Sequence, residues 1–205
     1  MIIFELAEND ESHVVYHQLT IENGERLYDF LKSIIDAAIA LERPYLSSQV
    51  IKALNYHAIA CLHSHAGEYR PCSVRVGSHQ PPEEFRVQAL MDDFVNQINR
   101  NWDLLDPLQL AVWALWRLNW IHPFINGNGR ISRAVAYFIL CVKVGARLPG
   151  KIILPELIVR ERERYVQGLR KVDDNQDFSD LHSLLGELLK EQLDSAKDRG
   201  AEAAL

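Results

Sequence analysis

The chain has few of the features that mark secreted or membrane proteins. Its 205 residues include only three cysteines, which are too few for a disulfide scaffold and suit a reducing compartment. The longest apolar run, residues 134–142, is far shorter than the roughly 20 residues that a membrane-spanning helix needs. The first residues lack the basic flank and the long apolar stretch of a signal peptide. We therefore expect a cytoplasmic protein that does not act at a membrane.

Basic residues are also in short supply. Lysine and arginine together number 22, against 28 aspartates and glutamates, which gives a net charge of -6. A broad duplex-binding surface usually carries a basic excess, so we expect no nucleic-acid partner, although a local anion pocket is compatible with this charge. Hydrophobic residues make up 48% of the chain and charged residues 24%. This is the balance of a soluble globular protein, and the length fits one main domain.

Apolar residues recur at three- and four-residue steps along most of the chain, and this spacing predicts an all-α fold. One segment departs from it, because the alternation from Cys72 to Val76 predicts a short β-hairpin arm. We expect an N-terminal extension over residues 1–19, a main helical domain over 20–190 and a polar tail over 191–205. The predicted helices cover residues 20–43, 47–62, 83–102, 108–121, 130–144, 158–170 and 179–190, the first of them ending at Pro44.

The predicted helix over residues 108–121 is apolar nearly all round, which is typical of a buried central helix. Asp106 and Pro107 precede it as an N-cap residue and a first-position proline. Its three tryptophans are interpreted as core residues rather than as ligand-stacking residues. The helix therefore predicts a rigid support for the segment that follows it.

That segment, residues 122–133, reads His-Pro-Phe-Ile-Asn-Gly-Asn-Gly-Arg-Ile-Ser-Arg. Gly127 and Gly129 permit positive φ angles, which allow backbone N–H groups to converge. These groups lie at the N-terminus of the next predicted helix, where free N–H donors and the helix dipole favour an anion. The loop therefore predicts a binding site for phosphate groups.

Three side chains accompany this loop. Arg130 and Arg133 are three residues apart on the predicted helix, so both can face one side of the same anion. His122 precedes the loop and can act as a general base. The alternative is a plain helix–turn–helix connection with His122 in the core, but this alternative does not explain the paired arginines. Together these residues predict a polyphosphate site beside a general base.

Residues 122–133 resemble the signature of Fic-domain (Fic/Doc) proteins, His-Pro-Phe-x-Asp/Glu-Gly-Asn-Gly-Arg-x-x-Arg. Residues 67–77, 165–169 and 177–181 are similar to other segments of that family, so the resemblance covers most of residues 20–190. It implies an all-α, Fic-like helical bundle with a small β-hairpin flap. It also implies a transferase that moves a nucleoside monophosphate, usually AMP from ATP, to a Ser, Thr or Tyr hydroxyl of a target protein.

The resemblance gives a role to the residues around the loop. His122 would be the general base that takes the proton of the target hydroxyl. Asn128, with the backbone amides of Gly127 and Gly129, would form the phosphate-binding nest. Phe124 would point into the core and fix the loop.

Two further roles follow from the same resemblance. Arg130 and Arg133 would hold the outer phosphates, with Arg133 on the γ-phosphate. An extended segment of the target protein would pair with the edge of the flap strand. The residues of this docking strand are Ser73, Val74, Arg75 and Val76.

Asn126 departs from the family pattern, which has Asp or Glu at this position as a magnesium ligand. An amide oxygen is a weaker ligand for Mg²⁺ than a carboxylate. The resemblance therefore implies ATP or another nucleotide donor, with Mg²⁺ at a weakened site. Two main functions stay open: a protein adenylyltransferase, and a nucleotide-binding regulatory module with weak or no turnover. Transfer of phosphate or phosphocholine is a third alternative.

Many Fic proteins are restrained by a helix with the pattern Ser/Thr-x-x-x-Glu-Gly/Asn. Residues 64–68 and 183–187 match only its first part, because neither segment is followed by Gly or Asn. Glu187 is interpreted as a solvated charge. Two means of control are left, a separate antitoxin-like inhibitor or a low activity caused by Asn126.

Overall fold

The computed structural model describes residues 1–42 and 46–202, and this part of the chain is mostly helical, as predicted. Pro44, the predicted end of the first helix, and residues 203–205 of the predicted tail lie outside it. One turn of 3-10 helix, Glu84–Arg86, precedes the fourth helix. The helices are α1 (Ile3–Leu6), α2 (Val14–Ala40), α3 (Ser48–Ile59), α4 (Val87–Asn101), α5 (Pro107–Ile121), α6 (Asn128–Val144), α7 (Leu154–Arg160), α8 (Arg162–Asn175) and α9 (Ser179–Glu202).

Helices α5 and α6 form the centre of the bundle and pack extensively on each other. The predicted start of α5 is confirmed, since Asp106 caps it by accepting from the Gln109 N–H at 2.9 Å and Pro107 is its first residue. Both helices are buried along most of their length, as their apolar sequences require. Helices α2, α3 and α7 pack on α6, and α4, α8 and α9 pack on α5.

The connection from α5 to α6 is held by its own residues. His122 ends α5 in the left-handed region, with φ 51° and ψ 59°, and Gly127 begins α6 at φ 85°. The Asn128 side chain accepts from the Phe124 N–H at 2.9 Å and donates to the Phe124 carbonyl at 2.8 Å. The Phe124 side chain is fully buried and contacts the ring of Tyr69. This packing fixes the shape of the loop, as expected for Phe124.

Several helix boundaries differ from the predicted ones. Helix α2 begins at Val14 and runs through residues 19 and 20 without a break. The predicted helix over residues 158–170 is divided at Glu161, where α7 ends and α8 begins. Helix α9 continues through residue 191 to Glu202. Within the two described ranges, none of these helices combines the length and the apolar character needed to cross a bilayer.

The predicted β-hairpin flap is not seen. Between residues 70 and 82 the only strand-like pairing is a single antiparallel bridge, in which Val76 and His79 exchange two backbone hydrogen bonds of 3.0 Å. Pro81 and Pro82 follow at once, and proline has no N–H to donate to a ladder, so pairing cannot extend along the return arm. We call residues 72–80 the flap segment.

The flap segment is anchored by one buried side chain. Arg70, which is 2% exposed, donates to the carbonyl oxygens of His122 at 2.8 Å, Cys72 at 2.9 Å and Pro82. The Ser73 hydroxyl also donates to the Glu84 carboxylate at 2.6 Å. These side-chain hydrogen bonds replace the ladder of a hairpin and tie both ends of the flap segment to the end of α5.

Candidate functional site

A cavity of about 700 Å³ lies between the flap segment, α5 and α8, next to the start of α6. This volume is within the usual range for small-molecule and cofactor sites. Part of the lining is apolar and aromatic, and part of it is charged. The apolar wall is formed by Trp116, Trp120, Ile158, Val159, Val166 and Leu169, and the charged groups are Arg133, Arg162, Arg170, Asp173 and Asp174. His122, Gly129 and the tip of the flap segment complete the lining.

His122 lies in this cavity as a neutral base. Its Nδ1 is 3.4 Å from the Asn119 carbonyl oxygen, which only accepts, so Nδ1 carries the hydrogen and Nε2 keeps a lone pair. The pKa of His122 is lowered to about 4, chiefly by burial and to a smaller extent by nearby His79 and Arg70, against the raising effect of the Asn119 contact. The imidazole is therefore unprotonated at neutral pH, as a general base requires.

This low pKa has a measurable consequence. Because the pKa of His122 falls from 6.5 in the unfolded chain to about 4 in the folded one, only the unfolded chain takes up this proton between those values. The contribution of His122 to stability is thus complete above pH 6.5 and is lost as the pH falls towards 4. We expect the acid limb of any reaction that uses His122 as a base to lie near pH 4, in a pH profile of the rate. An acid limb near the ordinary imidazole pKa would contradict this assignment.

Arg133 lies in the same cavity, next to the backbone of the loop. The α-helical geometry brings its guanidinium back over the first turn of α6, so that a Cβ at Gly129 would stand 3.2 Å from its Nη1. Burial lowers the pKa of Arg133, but a guanidinium stays charged at any physiological pH. In the part of the chain that the structure describes, Arg133 forms no ion pair. A partly buried charge of this kind favours an anion in the cavity.

The first turn of α6 adds further positive potential. Among the described residues no side chain caps this helix, because Gly127 stands at the N-cap. The positive end of the helix dipole therefore lies beside Arg133, and Gly129 of the first turn lines the cavity. Asn128 lies outside the lining, and both ends of its side chain are bonded to Phe124.

Arg130 does not line the cavity, although the sequence pairs it with Arg133. Its guanidinium turns towards α3, where Nη1 donates to the Ala58 carbonyl at 2.9 Å and Nη2 donates to the Asn126 Oδ1 at 3.2 Å. The structure thus brings together His122, Gly129 and Arg133 in the cavity lining. The other predicted loop residues lie outside that lining: Asn126, Gly127, Asn128 and Arg130.

Two cavity residues were not found from the sequence. Arg162, at the start of α8, lies close enough to Arg133 to depress its pKa, so two positive groups face the same space. His79 donates through Nε2 to the Trp120 carbonyl at 3.0 Å, and its Nδ1 is 4.0 Å from Asp173. Both residues are distant along the chain from residues 122–133, so no spacing rule connects them with the loop. Trp116 and Trp120 also line the cavity, beyond the core role predicted for them.

The predicted docking strand lies only partly at the cavity. Val76 reaches the lining, whereas Ser73, Val74 and Arg75 lie outside it. The side chains of Ser73, Arg75 and Val76 are exposed. This stretch therefore presents an accessible backbone beside the cavity mouth.

Comparison with known proteins agrees with this geometry. Residues 45–140 match the model of the Fic/DOC family. A protein adenylyltransferase Fic from Drosophila willistoni is 26% identical over 188 residues, which cover 78% of this chain and 36% of that protein. The chain thus spans about a third of the length of this curated relative.

Solved structures show the same fold. A Fic-domain-containing signaling protein from Bacteroides thetaiotaomicron is 26% identical, with a TM-score of 0.67 over 86% of this chain and 72% of that one. The BepC protein of Bartonella tribocorum, solved with bound AMPPNP, has a TM-score of 0.58 at 12% identity, with 88% of each chain covered. At that identity the second likeness concerns the fold alone.

The residues around position 126 do not fit a metal ion held by its side chain. The Asn126 Oδ1 already accepts from a guanidinium, and its Nδ2 donates to the Glu11 carboxylate at 3.1 Å. An amide in this orientation offers no free oxygen to Mg²⁺, which prefers hard oxygen ligands. Within the described ranges, no three His, Cys, Asp or Glu side chains converge as a metal site.

Glu187, the glutamate that partly matches the inhibitory pattern, lies away from the cavity. Glu187 accepts from Arg164 at 2.9 Å and from the Ser183 hydroxyl at 3.1 Å, on the exposed surface between α8 and α9. Arg164 on the neighbouring helix holds its carboxylate, and the Arg164 and Ser183 hydrogen bonds lower the pKa of Glu187. Its partner is therefore not Arg133.

Proposed function

We propose that this Fic domain transfers AMP from ATP to a Ser, Thr or Tyr hydroxyl of a target protein. The observation that carries the proposal is one cavity in which a neutral His122 stands beside the start of α6 and the partly buried charge of Arg133. The relatives named protein adenylyltransferase support the reaction type, and the AMPPNP bound to a structural neighbour supports nucleotide binding in this fold.

The two sides of the cavity suit the two ends of a nucleotide. The phosphates would lie against the first-turn N–H groups of α6, with the outer phosphates on Arg133 and on Arg162 at the rim. The base would lie against the aromatic wall of Trp116 and Trp120. Arg130 would act on the phosphates only through the position of the loop, because its hydrogen bonds are made to Ala58 and Asn126.

The chemistry requires positioning and charge neutralisation more than covalent help from the protein. The His122 Nε2 would take the proton of the target hydroxyl, whose oxygen then attacks the α-phosphorus. The bond between the α-phosphorus and the bridging oxygen breaks, and pyrophosphate leaves. Arg133 and the N–H groups of α6 would stabilise the charge that moves onto the leaving phosphates. Arg70, which holds the His122 carbonyl, would keep the base in place.

The flap segment would dock the target. An extended target strand could pair with the backbone of residues 73–76, which brings its hydroxyl near the mouth of the cavity. We expect Val74→Pro to abolish target modification and to leave the ATP dissociation constant within about 2-fold, because proline removes one N–H from that edge. Modification of the target can be followed by mass spectrometry and ATP binding by calorimetry. Full modification by the variant would contradict the docking role.

Labelled ATP tests the proposed reaction directly. The protein is incubated with cell lysate and with ATP labelled at either the α- or the γ-phosphate. We expect protein-bound label only from the α-phosphate, together with release of pyrophosphate. Retention of the γ-label would show phosphate transfer instead.

One observation favours a second function, a nucleotide-binding module without turnover. The Asn126 amide is bonded on both sides, so residue 126 adds no charge to the reaction centre. Tight ATP binding with no label transferred, under varied metal ions, would establish this second function and exclude the first.

A further inference from the structure

The N-terminal segment, residues 1–13, is built onto the end of α3. The Ile3 and Phe4 N–H groups donate to the carbonyls of Cys61 and Leu62 at 2.8 and 3.0 Å. The Phe4 ring contacts the His63 ring, and Ala7 is buried at 3% exposure. The segment is thus held in place before α2 begins. It lies outside the residues that match the Fic/DOC family model.

From this segment Glu11 reaches the signature loop. Its Oε1 accepts from the Asn126 Nδ2 at 3.1 Å, across 115 residues of sequence. The other end of the amide, Oδ1, accepts from Arg130. Reversing the amide would set its oxygen against a carboxylate and its nitrogen against a guanidinium, so the two charged neighbours determine its orientation.

The backbone of residue 126 is fixed from a third side. The Asn55 side chain of α3 donates to the Asn126 carbonyl at 2.9 Å and accepts from the Gly67 N–H at 2.9 Å. Gly127, which follows, is packed tightly against α3, because a Cβ there would stand 3.1 Å from both Asn55 and Ile59. The position of residue 126 therefore sets where the first turn of α6 begins.

We propose that Glu11 is a positioning residue for the phosphate-binding loop, acting through the Asn126 amide and from there on Arg130. This role of Glu11 also explains why residue 126 is an amide, where the family signature has Asp or Glu. A carboxylate at 126 would keep the contact with Arg130, but it would replace the N–H that Glu11 accepts from by a second negative charge. The nearby His63 does not offset this repulsion, because burial lowers its pKa and leaves it neutral.

A double-mutant cycle on the full chain tests the coupling. The variants are Asn126→Asp, Glu11→Gln and the two combined, in which the new amide at position 11 can donate to the new carboxylate at position 126. We expect Asn126→Asp to raise the ATP dissociation constant about 5- to 10-fold in metal-free buffer, which is less than the full cost of replacing a hydrogen bond to a charged group by repulsion, because the change reaches the phosphates only through the loop. The combined variant should return to within about 2-fold of the wild type. Metal-free buffer removes any gain from a new ion ligand at 126.

Hydrogen exchange of residues 122–133 gives a readout that needs no nucleotide. Glu11→Ala and Asn126→Asp should both speed exchange in the loop, and the variant that combines Glu11→Gln with Asn126→Asp should restore it. Glu5→Gln is the matched control, since Glu5 is an exposed acid of the same segment, and it should change neither measurement. Additive effects of Glu11→Gln and Asn126→Asp on the ATP dissociation constant would overturn the proposal. An unchanged rate of hydrogen exchange in the loop of Glu11→Ala would overturn it as well.

The measurement of ATP affinity rests on the proposed function, whereas the measurement of hydrogen exchange does not. A wild-type protein that binds no ATP would therefore remove the proposed function and leave the role of Glu11 to be decided by exchange. If Asn126→Asp does not fold, hydrogen exchange in Glu11→Ala alone still tests the proposal. This variant leaves the Asn126 amide nitrogen without its carboxylate partner.

Discussion

Replacing His122 by alanine is expected to lower the rate of AMP transfer by about 100- to 10,000-fold, the usual contribution of a general base. The ATP dissociation constant should change by less than about 3-fold, because the imidazole acts on the incoming hydroxyl beside the α-phosphate and is not one of the groups that hold the phosphates. The two quantities are measured by labelled transfer to protein and by calorimetry. This split between rate and binding separates a base from a residue that merely shapes the pocket.

His17→Ala is the control for this substitution. His17 is an exposed residue of α2 and lies outside the cavity lining, so its loss should leave both quantities unchanged. The hydrogen bonds of the loop run through Asn128 and Phe124, so the loop does not depend on the His122 ring. Transfer that persists in His122→Ala at near the normal rate would remove His122 as the base.

Replacing Arg133 by alanine is expected to raise the ATP dissociation constant about 10- to 100-fold. A hydrogen bond to a charged group contributes about 1.5–3 kcal/mol, and the loss of one such bond to phosphate gives about this range. AMP, which lacks the outer phosphates, should lose less affinity than ATP. Calorimetry with both nucleotides measures the difference.

Arg164 supplies the matched control for this second substitution. It lies on α8 like Arg162 but is paired with Glu187 on the surface, so Arg164→Ala should not alter nucleotide affinity. Arg162→Ala should give a smaller loss than Arg133→Ala, because Arg162 is exposed at the rim. Equal losses of ATP and AMP affinity in Arg133→Ala would contradict its place on the outer phosphates.

The central part of the fold could be predicted from short-range rules. The cap at Asp106, the proline at the first helical position and the all-round apolar sequence of α5 each depend on neighbouring residues only. The glycine-rich turn between α5 and α6 is local in the same way. For this reason the loop with His122 and Arg133 was found where the structure has it.

Features that depend on distant partners could not be predicted. The spacing of Arg130 and Arg133 places both on one helix face, but the Ala58 carbonyl and the Asn126 amide draw Arg130 away from the cavity. The flap segment alternates like a strand, yet the two prolines that follow it limit its pairing and Arg70 holds its ends. The contact between the N-terminal segment and the signature loop likewise joins residues that are far apart in the sequence, so no local spacing pattern predicts it.

The central claim is that the start of α6 and Arg133 hold the phosphates of a nucleotide while His122 faces the α-phosphate. A crystal structure of the protein with AMPPNP tests it most directly. We expect the phosphates against the N–H groups of the first turn of α6, the outer phosphate on Arg133 and the His122 Nε2 turned towards the α-phosphate. A nucleotide bound away from this turn, or an imidazole turned from the α-phosphate, would contradict the account.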